Sequence, residues 1–161
     1  DIALSEFSGD NRRVQQACFI LFDLDHFKRV NDNFGHLLGD KVLRFTGSLI
    51  KERLPEGCTA ARYGGEELAI IAPKTDLDSA KELADTIRLA LSKSNLKRKD
   101  NGAPIGEITL SAGIAYLQPD DTIENWVARA DEALYKAKNN GRNQVVCDRD
   151  LQATDKTVSA A

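Results

Sequence analysis

Apolar and polar positions along the chain follow two periods, and the changeovers between them mark the elements. Ala17 to Asp25 reads Ala-Cys-Phe-Ile-Leu-Phe-Asp-Leu-Asp, a continuous apolar run closed by acids, which predicts a strand buried on both faces. Asp23 and Asp25 then share one face at its end. Helical text follows to Phe34 and breaks at Gly35. A second helix is expected from about Gly39 to Arg53, with Val42, Leu43, Thr46, Leu49 and Ile50 as its buried stripe and Pro55 beyond its end. Thr59 to Arg62 and Leu68 to Ala72 read as two short strands of a hairpin, with Gly64-Gly65 as a tight turn at positive φ. Ala80, Leu83, Ala84, Ile87 and Leu91 mark a helix that starts at Thr75-Asp76-Leu77-Asp78 and runs to about Ser94. Ile108 to Tyr116 alternates large apolar residues with Thr109, Ser111, Gly113 and Ala115, which predicts a strand with one face buried. Asp120-Asp121-Thr122 opens a last helix, with Trp126, Val127, Ala130, Leu134 and Ala137 inward and Gly141 as its stop. A final strand covers Asn143 to Cys147.

The order strand, helix, helix, hairpin, helix, strand, helix, strand predicts an α/β fold of the α+β type, with helices packed on a sheet and a hairpin paired antiparallel. The length of 161 residues suits one domain, and no internal repeat or linker divides it. The net charge of -3 speaks against a protein that coats nucleic acid, and Lys97-Arg98-Lys99, without interleaved aromatics, reads as a solvated loop. Cys18, Cys58 and Cys147 have neither disulfide nor zinc spacing, so a reduced, cytoplasmic setting is expected for the domain. No run is long and apolar enough for a membrane span. The chain contains no methionine and opens abruptly, so it reads as a piece of a longer protein. Residues 1–16 are expected to lead in from the parent, 17–149 to form the folded domain and 150–161 to be a flexible tail.

Two places carry candidate chemistry. A helix start just after Asp23-Leu24-Asp25 offers backbone N–H groups to phosphate, and a carboxylate at the strand end can hold Mg²⁺. Asp25 reads as a cap for that helix, whereas Asp23 needs a partner for its charge. Glu66 and Glu67, at the hairpin, read equally as a solvated pair or as one wall of a site. Strand alternation brings at most one of them to a given face unless the turn breaks it.

Phe22-Asp23-Leu24-Asp25-His26-Phe27-Lys28-Arg29-Val30-Asn31-Asp32, Gly35-His36, Gly39-Asp40, Arg62-Tyr63-Gly64-Gly65-Glu66-Glu67-Leu68, Ala130 to Lys138 and Gly141-Arg142-Asn143 follow one another in an order that resembles the GGDEF family of diguanylate cyclases. The resemblance implies a palm-like, nucleotidyl-cyclase-like domain with a mostly antiparallel sheet of about five strands. It implies condensation of two GTP into cyclic di-GMP, a bacterial second messenger in biofilm signalling, by a transient homodimer under an upstream sensory or regulatory domain. A membrane anchor in the parent is compatible with that arrangement. By the same resemblance Asp23, the Leu24 carbonyl, Glu66 and Glu67 bind two Mg²⁺ ions, for which Mn²⁺ substitutes, and Glu66, Glu67 and Lys28 act in catalysis. Asn31 and Asp40 read guanine beside Phe27, Gly64 and Gly65 leave room for the nucleotide, and Lys138 and Arg142 grip the β- and γ-phosphates.

Ordinary roles compete with these. Asp40 also reads as a helix N-cap, and Lys138 and Arg142 as cations at a helix C-terminus. The family's upstream Asp-x-Leu-Thr-Gly-Leu-x-Asn-Arg signature is absent, and Leu68 stands where phenylalanine is common. Pro55-Glu56-Gly57-Cys58 replaces the Arg-x-x-Asp of the product-inhibition site, so none is expected there, and Arg88 reads as a surface arginine rather than a secondary product contact. The alternative to an enzyme is a catalytically silent module that binds GTP or cyclic di-GMP and regulates a partner; another is a related cyclase making a different cyclic nucleotide.

Overall fold

The structure, a computed structural model, describes residues 16–98 and 101–151. Ala17–Leu24 forms β1, buried along its whole length, between Glu67–Pro73 (β3) and Leu110–Tyr116 (β4), and antiparallel to both. Thr59–Arg62 (β2) pairs antiparallel with β3 at one edge, and Val145–Cys147 (β5) pairs parallel with β4 at the other. The sheet therefore has five strands in the order β2-β3-β1-β4-β5, mostly antiparallel as expected. Four helices, Phe27–Phe34 (α1), His36–Arg53 (α2), Leu77–Ser92 (α3) and Ile123–Asn139 (α4), cover it.

Each face of β1 has its own core, which is why the strand shows no polar alternation. Ile20, Phe22 and Leu24 pack with Leu43 and Ile50 of α2 and Ile87 of α3, while Phe19 and Leu21 pack with Trp126, Ala130 and Leu134 of α4. Each large side chain buried this way contributes about 1.5–3 kcal/mol. The Trp126 indole N–H donates to the Ala115 carbonyl at 2.9 Å, so its burial leaves no unpaired donor. Asp76 and Thr122 cap α3 and α4, accepting from the N–H groups of Ser79 and Asn125.

β4 departs from the one-face expectation, because Leu110 to Ala115 are buried on both sides. Ser111, Gly113 and Ala115 are small because α4 lies directly on them. A Cβ at Gly113 would sit 2.0 Å from the Ala130 carbonyl oxygen and 2.3 Å from the Leu134 nitrogen, both backbone atoms. What resembled a solvent face is a groove for a helix.

At the end of the sheet where β1 begins, Arg129 of α4 draws three segments together. Its guanidinium donates to the Tyr116 carbonyl at 2.6 Å and pairs with Asp121 and, at 3.1 Å, with Asp148 just after β5. Burial, followed by the charge of Asp148, pushes the Cys18 thiol to about 12, and burial pushes Cys147 to about 11, so neither is a nucleophile at neutral pH. Among the described residues no helix is long and apolar enough to cross a membrane. The expected lead-in, apart from Gln16, and the expected tail beyond Leu151 lie outside the described residues, as does Lys99.

Candidate active site

The far end of β1 carries the acids. Asp23 lies opposite Glu67 in the β1/β3 register, so both side chains leave the sheet on the α4 face. The β2/β3 ladder stops at Arg62 and Leu68, and the N–H groups of Tyr63 and Gly64 both donate to the Glu67 carbonyl, at 2.9 and 3.3 Å. Neither Gly64 nor Gly65 has a positive φ, which corrects the expected two-residue turn: residues 63–66 connect β2 to β3 without one. The Arg62 guanidinium holds it by donating to the carbonyls of Gly64 and Gly65 at 2.5–3.2 Å. A Cβ at Gly64 would lie 2.5 Å from Glu67 Oε2 and displace the end of that side chain, whereas a Cβ at Gly65 would meet nothing within 4 Å.

Glu66 sits in this bend, ahead of β3, and strand alternation does not govern it. Its carboxyl is raised above the ordinary value by burial, then by the charge of Asp23, against the opposing charge of Lys138. Asp23, with its side chain 8 % exposed, is raised by burial although Lys138 Nζ lies 2.8 Å from its Oδ2 and Arg142 also favours its ionised form. Lys138 and Arg142 therefore act on Asp23, and Asp23, Lys138 and Glu67 act on Glu66. Both hairpin acids belong to this group, since the turn breaks the alternation.

The donors at this point are carboxylate oxygens, with the Leu24 carbonyl at the end of β1. Such a set suits a hard divalent cation, and partly buried carboxylates whose ionisation burial opposes have charge for one to neutralise. Among the described residues no three His, Cys, Asp or Glu side chains form a ready metal cage. Mg²⁺ needs none, because it is commonly held by one or two carboxylates together with substrate phosphates.

A second cluster lies where α1 meets α2. Phe27 is buried, Asn31 is half-buried, and Gly39 packs against both: a Cβ on Gly39 would fall 2.0 Å from Asn31 Oδ1 and 3.1 Å from Phe27 Cζ. Because α2 starts at His36 after the left-handed Gly35 (φ 82°), rather than near Gly39, Asp40 sits one turn inside the helix. It is not the N-cap, and its exposed carboxylate follows directly on the glycine that seats Asn31. Lys28 is exposed in the first turn of α1.

Asp25 is not the cap of α1. That position belongs to His26, in a left-handed conformation and without a side-chain cap bond. The buried Asp25 carboxylate instead accepts from Thr109 Oγ1 and Ser111 Oγ, both at 2.7 Å, and from the Asn143 N–H at 3.0 Å, tying the end of β1 to β4 and to the turn after α4. Arg142 lies in that turn, beyond the end of α4, so the helix-dipole reading fits only Lys138, whose ammonium is committed to Asp23. Arg88 is not a surface residue. Its side chain is 17 % exposed, paired with Asp85, and bonded to Asn143. Sequence reasoning named Gly39, Asp25 and Arg88 but misread them, as a helix start, a helix cap and a surface arginine.

Fold and site together define an α/β domain whose acids and cations converge at one end of its two central antiparallel strands. The family described as "Diguanylate cyclase, GGDEF domain" matches residues 3–144, and the chain belongs to that family. It is 42% identical over 132 residues to diguanylate cyclase VdcA of Vibrio cholerae, covering 82% of this chain and 39% of that protein. It is 38% identical over 133 residues to diguanylate cyclase DgcM of Escherichia coli, covering 83% and 31% respectively. The chain thus spans well under half of these curated relatives. In structure it is similar to the GGDEF domain of DgcB from Caulobacter crescentus, solved in complex with c-di-GMP, with a TM-score of 0.82 and 38% identity over 84% of this chain and 79% of that one. The active GGEEF domain of a diguanylate cyclase from Vibrio cholerae matches with a TM-score of 0.78 and 35% identity over 90% and 89%.

Proposed function

We propose that this domain condenses two GTP molecules into cyclic di-GMP within a transient homodimer. Each subunit holds one GTP, each 3′-hydroxyl attacks the α-phosphate of the other nucleotide, a new phosphodiester forms, and two pyrophosphates leave. The observation that carries the reading is the Lys138 Nζ–Asp23 Oδ2 pair at 2.8 Å at the end of β1, opposite the strand that begins with Glu67 and beside Glu66, in a member of the GGDEF family. Asn31 and Asp40 read the base: guanine offers N1–H and N2–H donors that a carboxylate accepts together, and a site built on such bonds rejects adenine. Phe27 gives the base an apolar wall, and Gly64 and Gly65 leave room along the hairpin.

Lys138 and Arg142 supply positive charge for the β- and γ-phosphates, and the exposed Lys28 offsets charge that grows on the transferring group. Asp23, Glu66, Glu67 and the Leu24 carbonyl would hold a pair of Mg²⁺ ions, with Mn²⁺ as substitute. Bound there, the metal draws charge from the triphosphate and lowers the pKa of the attacking hydroxyl. Glu66 and Glu67 serve catalysis at the same point. The GTP pool places the reaction in the cytoplasm, and a longer parent couples it to an upstream sensory or regulatory domain.

The test is incubation with GTP and Mg²⁺ and identification of the products. Cyclic di-GMP with two pyrophosphates per molecule is expected, at a rate per subunit that rises with protein concentration in the dilute range. No product at high concentration points instead to a silent binding module, and another cyclic nucleotide to a different cyclase.

A further inference from the structure

Gly141, Arg142 and Asn143 have consecutive positive φ values of 103°, 61° and 46°. Two of these are not glycines, and L-residues hold such conformations only where surrounding bonds impose them. The bonds are visible. The Arg142 N–H donates to the Ala137 carbonyl at 3.1 Å, and Gln144 Nε2 donates to the carbonyls of Ala137 and Asn140 at 3.0 and 2.8 Å, which settles the end of α4. Asn143 is gripped from two sides. Its N–H donates to Asp25 Oδ2 at 3.0 Å, and Arg88 Nη1, from α3, donates to both its carbonyl oxygen (3.1 Å) and its Oδ1 (3.0 Å). Arg88 is itself oriented by Asp85, whose Oδ1 accepts from Nε at 2.8 Å.

One guanidinium nitrogen bonded to the backbone and the side chain of the same residue restricts both the backbone and the χ angles of Asn143. Arg142 is the next residue back. We propose that Arg88 is a positioning residue that holds the left-handed Gly141–Asn143 turn and thereby aims Arg142 at the triphosphate. Asp25, two residues from Asp23 on β1, anchors the other side of the turn, so the strand carrying the acid and the turn carrying the cation share one support. Without Arg88 the turn relaxes toward ordinary right-handed or extended conformations, and Arg142 loses its direction while keeping its charge. This inference rests on the nucleotide reading of the site.

A double-mutant cycle tests it, with binding of the non-reacting α,β-methylene analogue of GTP measured by calorimetry in Mg²⁺. Arg88→Met and Arg142→Met are each expected to weaken binding about tenfold, and the double variant to bind no more weakly than Arg142→Met alone. A purely structural arginine lowers the urea midpoint without this coupling. Binding by Arg88→Met equal to that of the unsubstituted chain, or a double variant weakened by the full product of the two effects, overturns the inference and leaves the nucleotide reading standing. Failure of the unsubstituted chain to bind the analogue overturns both. Should Arg88→Met not fold, Arg88→Lys, which keeps a cation but loses the fork, goes through the same cycle with the same criteria.

Discussion

Gly39→Ala separates the site from the fold. Gly39 lies in the first turns of α2 with helical backbone, so alanine fits the φ/ψ and gains about 0.5–1 kcal/mol of helix propensity. The added methyl, however, falls 2.0 Å from Asn31 Oδ1 and 3.1 Å from Phe27 Cζ. Restoring an ordinary contact of about 3.5 Å requires the Asn31 amide to retreat by about 1.5 Å. A hydrogen bond near 2.9 Å does not survive a move of that size. On the proposed reading of Asn31, loss of one base contact, leaving a polar edge unpaired, costs about 1–3 kcal/mol, or roughly 5- to 150-fold in GTP affinity. The fold itself changes by no more than about 1 kcal/mol, since the propensity gain offsets the local crowding. Calorimetric titration with the GTP analogue and urea unfolding of the same preparation give both numbers. A variant with unchanged affinity, or one that loses affinity because it unfolds, refutes the reasoning that Gly39 exists to seat Asn31.

Three further outcomes follow from the charges and from one substituted segment. Glu66 is raised by burial and by Asp23, so its stabilising contribution is complete below the ordinary value of 4.5 and lost as pH rises through the raised value; Glu66→Gln should therefore raise the urea midpoint at neutral pH while product formation disappears, and an unchanged turnover would sink its catalytic assignment. Asp121 feels burial first, but the hydrogen bonds of Arg129, the Gln118 N–H and the Arg129 charge together outweigh it and hold the carboxyl below 3.8, so its contribution is present above that value and lost as pH falls through the lowered one. Arg129→Met leaves Asp121 and Asp148 without their cation and should cost about 2–4 kcal/mol at neutral pH, toward the low side because the guanidinium is 21 % exposed, with a flatter acid limb in urea unfolding from about pH 5 to 3. Pro55-Glu56-Gly57-Cys58 supplies no arginine to grip a phosphate, so adding cyclic di-GMP should not slow the initial rate through that segment, and inhibition relieved by substitutions there would contradict this.

What was legible in the sequence was what depends on nearest neighbours. β1 was readable because both of its faces are covered and its apolar run is unbroken, and the stripe Val42, Leu43, Thr46, Leu49, Ile50 is the buried face of α2. Asp23, Glu66 and Glu67 stood out as candidate chemistry from the residues themselves, whereas the roles assigned to Lys28, Asn31, Asp40, Lys138 and Arg142 came only from resemblance. The misreadings concern long-range contacts: Asp25 meets Asn143 across 118 positions and Arg88 meets it across 55, and no local periodicity encodes either. Small residues misled in a specific way. Gly113 resembled a solvent position and is an interface with α4, while Gly64 resembled a positive-φ turn glycine and instead lies against the Glu67 carboxylate. In both places the missing Cβ is a statement about a neighbour, not about φ.

The same distinction explains how the domain carries an unfavourable cluster. At one end of β1, Asp23 and Glu66 are partly buried carboxylates whose ionisation the fold opposes. At the other end, where Cys18 pairs with Tyr116, Arg129 binds the strand terminus, the entry to α4 and the exit of β5 in one favourable network. The two ends share the Trp126, Ala130, Leu134 face of α4, which is rigid because it lies against backbone at Gly113. Lys138, whose ammonium meets Asp23, belongs to that same helix. The opposed charges of Asp23 and Glu66 thus sit beside a packed helix anchored far from them, an arrangement that costs stability locally and that the proposed nucleotide role would explain.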